Sequence, residues 1–383
     1  MEIKNLRKCG ERILRAIKEG ERIVLYGDTD LDGVCSVIVL KETIEAAGGS
    51  VAAVYFPDRE KEGHGLTEKG LRYLAKFSPA LLVVMDLGIT SFSETKIARS
   101  LGFEVIIIDH HEIIDKLPEA EIIVNPYQEG DEYDFKDLAT VGLVFKLSKI
   151  ILGEKMKGSL KKKLVELVGL ATIADMVSPI GENKEFIEEG KEAMRESRRP
   201  GIRAFLEAEE IKNLPNLDEK ISRLISALNI REEENHLTVS YLLLTCLSFE
   251  ESREIVKKIL AKYKKRKQII EKIMRAVEQR ICEKDPIIFA GSSDFDFTLV
   301  SLAASRICQK YKKPTFIYKK WGKEAGGSVR TPEGVDGISL MKKCSSLLLR
   351  FGGHSQAAGF RIKNENLEKF KECLIRNFSK PQN

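Results

Sequence analysis

The stretch RIVLYGDTDLDG, Arg22 to Gly33, decides how the rest of the chain reads. Its first half is a short β-branched and aromatic run ending at Gly27. Its second half sets three carboxylates, Asp28, Asp30 and Asp32, directly beyond that run. The pattern recurs downstream. Leu81–Met85 (LLVVM) is followed by Asp86-Leu87-Gly88, and Val105–Ile108 (VIII) by Asp109-His110-His111-Glu112. Both runs are apolar enough to be buried on two faces, as strands of a parallel sheet are. Val51–Phe56 reads as a further strand, and Val34–Ala47, Thr67–Phe77 and Ser91–Leu101 have helical periodicity. Repeated βα units predict an α/β fold with a doubly wound parallel sheet, whose ligands lie beyond the carboxyl ends of the strands. A last carboxylate, Asp175, closes the helical segment Leu164–Ala174.

Composition bounds the rest. A length of 383 residues suits two domains, at roughly 150 residues each. With 43% hydrophobic and 32% charged residues the chain has material for real cores. Lys plus Arg at 63 against Asp plus Glu at 58 gives a net +5, which permits a nucleic-acid partner without requiring one. No apolar run approaches the ~18 residues of a membrane span, and the charged N-terminus has no signal-peptide core, so no membrane partner is expected. The 7 cysteines contain no CxxC pair and are odd in number. Free thiols in a reducing cytoplasm are the expectation, and a zinc ribbon is excluded.

From about Asn183 to Cys282 strand signals fade into Glu-, Lys- and Leu-rich helical pattern, ending in Glu250–Cys282 without glycine or proline. After Pro286 the alternation returns: IIFA, a helix over Leu299–Lys310, TFIYK, a Gly-rich SVR segment, a helix over Ile338–Leu349, then GFRI and a last helix. The expected division is therefore a first α/β domain over 1–182, a helical connector over 183–283, and a smaller α/β domain over 284–383.

Three separate strands thus deliver carboxylates or imidazoles to one edge of a sheet. Gathering so many anions is costly unless cations neutralise them. Carboxylate with imidazole suits divalent ions such as manganese or magnesium, and more carboxylates than one ion needs suggests a pair. Such a pair serves in-line displacement at phosphorus. Each piece has an ordinary alternative. A DxDxDG can be a calcium loop, but loop position twelve counted from Asp28 is Val39, where a bidentate glutamate is needed. Asp86 alone would pass for a helix N-cap, Asp175 for a cap, and a histidine pair after a strand for structure. Of 5 histidines in the chain, His64, His110, His111 and His354 lie in these motifs.

Taken together, Asp28–Gly33, Asp86, Asp109-His110-His111 and Asp175 resemble the four motifs of the DHH phosphoesterase superfamily. Gly326-Gly327-Ser328-Val329-Arg330 and Arg350-Phe351-Gly352-Gly353-His354-Ser355-Gln356-Ala357-Ala358-Gly359 resemble its DHHA1 domain. Within the superfamily the chain is most similar to RecJ-like single-strand exonucleases, through the DxDxDG, the two-glycine Phe-Gly-Gly-His, His64-Gly65-Leu66, Val124-Asn125-Pro126 and Ala303-Ala304-Ser305-Arg306. Bacterial RecJ continues into an oligonucleotide-binding fold; the shorter form is similar to archaeal RecJ-like nucleases, which associate with GINS or a Hef-type helicase.

The resemblance implies an active site in a cleft between the two α/β domains. It implies two divalent metal ions, manganese preferred over magnesium, held by Asp28, Asp30, Asp32, Asp86, His110 and Asp175, with Asp86 as the bridge. His111, beside Asp109, would donate to a phosphate oxygen or the leaving group. Ser328, Arg330, the Gly352-Gly353 amides and His354 would hold the phosphate of the adjoining nucleotide, with Arg306 a second contact. The physics agrees: glycines let backbone N–H groups approach an anion, and an arginine fork matches phosphate. A hairpin turn with a capping histidine is the ordinary alternative for Gly352-Gly353-His354.

The densest basic stretches, Lys257–Lys267 and Lys161–Lys163, are solvated helix faces by default, and would attract a phosphodiester backbone if they bordered the site. Aromatics are sparse, with the single tryptophan at 321, so no stacking platform is evident. The expected function is a metal-dependent exonuclease releasing mononucleotides from single-stranded DNA or RNA in replication or repair. The alternatives are a nanoRNase-like phosphodiesterase of short or cyclic oligonucleotides and a replisome scaffold.

Overall fold

The computed structural model describes residues 2–59, 61–113, 116–229, 233–282 and 284–378. Positions 230–232 and 283 of the expected connector, and 379–383 of the expected last domain, lie outside the described residues. Contacts group the chain into two compact units, Met1–Leu260 and Ala261–Asn383. The boundary between the units falls within the segment 183–283.

The first unit begins with α1 (Leu6–Glu19), β1 (Ile23–Gly27), α2 (Leu31–Ala46), β2 (Ala53–Tyr55), α3 (Glu68–Leu74), β3 (Ala80–Met85), α4 (Phe92–Ser100), β4 (Phe103–Ile108) and β5 (Ile122–Val124). The strands form one five-stranded sheet in the order β2-β1-β3-β4-β5, parallel throughout. β1 and β3 are buried at every residue, which is why their sequences run apolar without alternation. On one face Val24, Tyr26, Leu82, Val84, Val105 and Ile107 pack with Leu71 and Leu74 of α3 and Ala98 of α4. α2 lies against β1 on the sheet, in contact with α5 (Thr140–Leu152) and α6 (Gly158–Asp175). The alternation of Val24 and Tyr26 with Leu25 thus fills both layers.

The remaining helices of this unit are α7 (Gly181–Arg195), α8 (Pro200–Leu206), α9 (Glu209–Lys212), α10 (Leu217–Leu228) and α11 (Val239–Thr245), with a hairpin of β6 (Glu233–Glu234) and β7 (Leu237–Thr238) before α11. α7 crosses α6 where Gly169 and Gly190 meet: a Cβ on either would come within 2.7 Å of the other's Cα. The unit boundary falls inside the long α12 (Phe249–Glu278).

The second unit contains β8 (Ile288–Ser292), α13 (Phe297–Tyr311), β9 (Thr315–Trp321), β10 (Glu324–Arg330), α14 (Gly337–Lys342), β11 (Leu348–Gly353), β12 (Ala357–Lys363) and α15 (Leu367–Phe378). Its sheet order is β11-β12-β10-β9-β8, with β8 parallel to β9 and the other pairs antiparallel. One face, through Phe316, Val329, Phe360 and Ile362, packs on α14 and α15; the other, through Ile288, Ala290 and Ile317, packs on α13 and the end of α12.

Two expectations change here. The helix read over Ile338–Leu349 ends at Lys342, and the chain enters edge strand β11 at Leu348. The thiols are not all free: Cys344 and Cys373 form a disulfide. The packing of α14 against α15 brings their Cα atoms to 6.1 Å, inside the bridging range, across 29 residues of chain. A parity count cannot see such proximity. Cys9, Cys35, Cys246, Cys282 and Cys308 are free. Among the described residues no helix is long and apolar enough to cross a membrane.

Candidate metal centre

The first motif is a strand end turned straight into a helix. Asp30 caps α2, accepting from Gly33 N–H at 3.2 Å. Gly33 is fixed by space. A Cβ there would stand 2.5 Å from the Asp28 carbonyl oxygen and 2.6 Å from its nitrogen, so only glycine lets α2 start against the loop. Asp28 accepts from Thr29 N–H at 2.6 Å. Asp32, buried in the first turn of α2, accepts from Thr140 N–H at 2.7 Å and Val141 N–H at 2.9 Å. It thereby caps α5, a hundred residues away, and ties the two helices at the site.

Beyond β3, Asp86 takes a left-handed backbone conformation (φ 62°), unusual for a residue with a Cβ. It does not cap the next helix, whose first flanking residue is Ser91. Its Oδ1 instead accepts from Thr140 Oγ1 at 3.1 Å. Beyond β4, Asp109 is fully enclosed: Oδ2 accepts from Ile89 N–H at 3.1 Å, while Oδ1 meets His111 N–H at 3.1 Å and His111 Nδ1 at 2.7 Å. Asp109 therefore orients His111, and the ring's other nitrogen, Nε2, is left for a ligand. His110 Nε2 lies 3.5 Å from Asp86 Oδ1 and 3.6 Å from Oδ2 of Asp175, the last residue of α6.

The fold thus brings all six expected ligands together in overlapping groups: Asp28, Asp30 and Asp86; Asp32, His110 and Asp175; and Asp86, His110 and His111. In each group, ligand atoms lie within 4.8 Å of one another. Asp86 and His110 each belong to two groups. Burial, with the charges of Asp175 and Asp30, pushes the Asp32 carboxyl well above the usual carboxylate range. Burial, followed by Asp32, Asp30 and Asp28, does the same to Asp86. Burial also raises Asp175, against the opposing pull of His110, and lowers His110. For Asp109, burial works upward, but the bond and charge of His111 prevail and hold it below its ordinary value. The bond to Asp109, opposed by burial, pushes the His111 imidazole up to about 9. Asp175 Oδ2 is buried and, among the described residues, accepts no hydrogen bond. A buried carboxylate oxygen among mutually repelling acids is a donor suited to a cation.

Two participants escaped the sequence. Arg59 donates from Nε to Asp28 Oδ1 at 3.0 Å, binds Asp28 Oδ2 through Nη2, and reaches Asp30 Oδ2 at 3.4 Å. In sequence it is one charge among several in PDREKEGHG, which reads as a solvated loop. Thr140 touches both Asp32 and Asp86, yet nothing in LATVGLV distinguishes it from a helix start. His64, which the sequence had offered in His64-Gly65-Leu66, also reaches the site: its Nε2 lies 3.5 Å from Asp28 Oδ2. The fifth histidine, His236, stacks on Tyr55 at 4.6 Å between centroids.

In the second unit, Arg330 Nη1 donates to Ser328 Oγ at 3.0 Å and Nη2 to Ser301 Oγ at 2.9 Å. Ser301 is thus the α13 residue bonded to Arg330. Arg306 is exposed and, five residues on at about 100° each, lies roughly 140° around the helix from Ser301. His354 and Ala357 exchange backbone bonds at 2.9 and 3.2 Å, closing the β11–β12 hairpin. Ladder alternation then commits the Gly352 N–H to β12 and turns that of Gly353 (φ 131°) outward on the edge strand. The hairpin alternative for Gly352-Gly353-His354 is therefore present, with Gly353 and the exposed His354 still open.

Comparison with known proteins places these observations. Residues 22–172 match the DHH family, N-terminal domain, and residues 284–380 match the DHHA1 domain. The single-stranded-DNA-specific exonuclease RecJ of Bacillus subtilis is 31% identical over 383 residues, covering 97% of this chain and 48% of the relative. The enzyme of the same name from Escherichia coli is 28% identical, covering 97% of this chain and 68% of the relative. The chain thus spans about half the length of the first and about two thirds of the second. A crystal structure of exonuclease RecJ bound to manganese shares the fold over 100% of this chain and 96% of its own, with TM-score 0.81 and 24% identity. RecJ in complex with Mn2+ from Thermus thermophilus matches at TM-score 0.80 and 22% identity, over 100% of this chain and 56% of its own.

Proposed function

With its DHH and DHHA1 domains the chain is a RecJ-like member of the DHH phosphoesterase superfamily, and on that footing we propose that it is a metal-dependent exonuclease. Its substrate would be single-stranded DNA or RNA, shortened one mononucleotide at a time, in DNA replication or repair. The observation that carries the proposal is the overlap of the three ligand groups at the ends of β1, β3 and β4 and of α6. The donors fit a pair of divalent ions, manganese before magnesium: mostly carboxylate with imidazole, no thiolate, and a buried acceptor oxygen without a partner. Asp28, Asp30 and Asp86 would hold one, Asp32, His110 and Asp175 the other, and Asp86 is the residue suited to be shared. Bound there, the ions would supply Lewis acidity at the phosphate and lower the pKa of an attacking water.

The chain's own residues do the rest. Asp109 fixes the His111 ring and keeps it protonated, so that Nε2 can donate to a non-bridging phosphate oxygen or to the leaving oxygen. Thr140 orients Asp86 and, through its N–H, Asp32. Arg330, with Ser328 and Ser301, the Gly353 amide and His354, would hold the phosphate of the adjoining nucleotide; Nη1 of Arg330 is spent on Ser328 Oγ and the Val329 carbonyl, and Nη2 also bonds Ser301 Oγ, so Nε and the second Nη2 hydrogen are what the guanidinium would turn to an anion. A partner from replication or repair, such as GINS or a Hef-type helicase, would be sought by co-purification with the full chain.

The test is degradation of 5′- and 3′-labelled DNA and RNA strands with manganese and with chelator. Metal-dependent release of mononucleotides is expected. Cleavage confined to dinucleotides, with longer strands intact, would sink the exonuclease proposal and favour a nanoRNase-like enzyme.

A further inference from the structure

The sheet of the second unit has an unequal face. Gly326, Ser328 and Arg330 alternate with core residues along β10, so all three point to the side opposite the α14–α15 core. α13 and α12 cover this side over β8 and β9, through Ile288, Ala290 and Ile317. Over β12 and β11 it is exposed. The register builds one row from Gly352, Gly359 and Ser328, and the neighbouring row from Arg350, Arg361, Gly326 and Lys319. The rows are two residues apart along each strand, about 6.7 Å. The first row belongs to the phosphate site proposed above. The second brings three more cations to the same face, and nothing so far gives them work.

Aromatic side chains border that second row. Trp321 lies over Gly326, where a Cβ would stand 2.5 Å from the indole and 3.4 Å from the Phe297 ring; the glycine is what lets the indole lie on the strand. Phe297 meets Trp321 edge-on at 5.2 Å and is 50% exposed, which leaves ring area open beside the indole. Arg361 sits over the indole at 5.6 Å, and the Glu324 carboxylate in contact with its Nε at 3.0 Å holds it there. Phe297 and Ser301 are one turn apart on α13, and Ser301 bonds Arg330. The exposed ring is therefore one helical turn from the arginine fork.

We infer that Phe297, Trp321, Arg350 and Arg361 form a second nucleotide site on the DHHA1 sheet, which takes the base and phosphate next to those held at Ser328 and Arg330. The chemistry favours a single strand: exposed guanidinium groups match phosphate, and a free ring stacks only on a base that is out of a duplex. The inference rests on the single-strand reading of the first site and extends it by one nucleotide along the sheet.

Trp321 is the only tryptophan, so intrinsic emission reports on this face alone. The full chain in EDTA would be titrated with single-stranded oligothymidylate of 15 nucleotides, following both tryptophan emission and the anisotropy of a fluorescein-labelled copy. We expect emission to change with the same midpoint as the anisotropy. The doubly substituted Arg350→Ala, Arg361→Ala chain, altered only at exposed residues, should bind at least about tenfold more weakly. Its salt dependence should be shallower by about 1.4 in log–log slope, at about 0.7 per phosphate contact on single strands. Phe297→Ala, followed by anisotropy, should weaken binding by about tenfold. A rise in anisotropy without a change in emission, and with both variants like wild type, overturns this site and leaves the exonuclease proposal standing. No anisotropy change at all counts against single-strand binding itself.

Discussion

Replacing Gly33 by alanine is the sharpest perturbation of the centre, because it adds one carbon and removes no ligand. The new Cβ would stand 2.5, 2.6 and 2.8 Å from the O, N and C of Asp28, against the 3.4 Å at which ordinary contact begins. All three are backbone atoms, so no side chain can rotate away. Either α2 or the Asp28 loop must move by about 0.6–0.9 Å, several times the ~0.2 Å tolerance of metal–ligand distances. Overpacking of this kind costs about 1–3 kcal/mol, and the gain from replacing glycine inside a helix returns up to about 1 kcal/mol. The net loss is then at most about 2 kcal/mol, or up to roughly 4 °C in Tm for a unit of this size. Function should suffer far more than stability, since a misplacement near 1 Å can cost about 10²-fold in rate. Calorimetric titration with Mn2+, a thermal melt and a strand-degradation assay on Gly33→Ala measure the three effects. A variant that binds Mn2+ within about threefold of wild type and degrades strands at the wild-type rate would refute the argument that Gly33 sets the position of the carboxylates.

Other consequences follow from the charges. Asp32 and Asp86 titrate higher in the folded metal-free chain than unfolded, so the folded state binds the extra protons, and stability falls as pH rises above about 4 toward their raised values. Above about pH 4 these two carboxyls should therefore favour the metal-free fold on acidification, with the lowered His110 opposing them below about 6.5, while Mn2+ affinity should rise with pH; proton release on binding, read by calorimetry in buffers of different ionisation heat, checks the second. Arg59→Gln takes the guanidinium from Asp28, whose side chain is 3% exposed, leaving it the His64 ring at 3.5 Å. Metal-free stability should drop by about 2–4 kcal/mol, and saturating Mn2+ should recover much of that loss in chemical denaturation. Arg199 bonds Glu166 at 2.8 Å and Glu42 at 2.9 Å where all three are nearly enclosed. Arg199→Met should cost about 3–5 kcal/mol in urea unfolding, and Glu166→Gln added to it should restore part, because the second change removes the stranded charge.

The parallel sheet was legible because β1, β3 and β4 are apolar on both faces, and the centre because each of those three strands ends in an ionisable residue. Arg22–Gly33 carries both signals within twelve residues. What stayed hidden depended on distances that only the folded chain supplies. β5 is three residues long, Ile122–Val124, too short for a period to show. Thr140 acts through its backbone N–H as much as its hydroxyl, and any residue type has an N–H. Arg59 and Ser301 are ordinary in composition and become site residues only because a loop and a helix bring them beside Asp28 and Arg330. The Cys344–Cys373 bridge depends on two helices meeting on one sheet face.

Asp32 shows how the centre is built into the fold rather than added to it. A carboxylate at this depth is destabilising on its own, and the neighbouring acids make it worse. Its two oxygens are already committed to the N–H groups of Thr140 and Val141, which the start of α5 would otherwise leave unsatisfied. Replacing Asp32 by asparagine therefore has two opposed effects. It removes like-charge repulsion, which should stabilise the metal-free chain, but it leaves one acceptor where two are needed and presents an NH₂ to a backbone donor, which should cost about 1–3 kcal/mol. The repulsion acts only on the ionised aspartate, whose pKa burial raises, so the first effect should weigh more at pH 8 than at pH 5. Urea unfolding of Asp32→Asn at both values separates them. A variant uniformly more stable than wild type would mean that Asp32 serves only as a ligand, and that α5 is held without it.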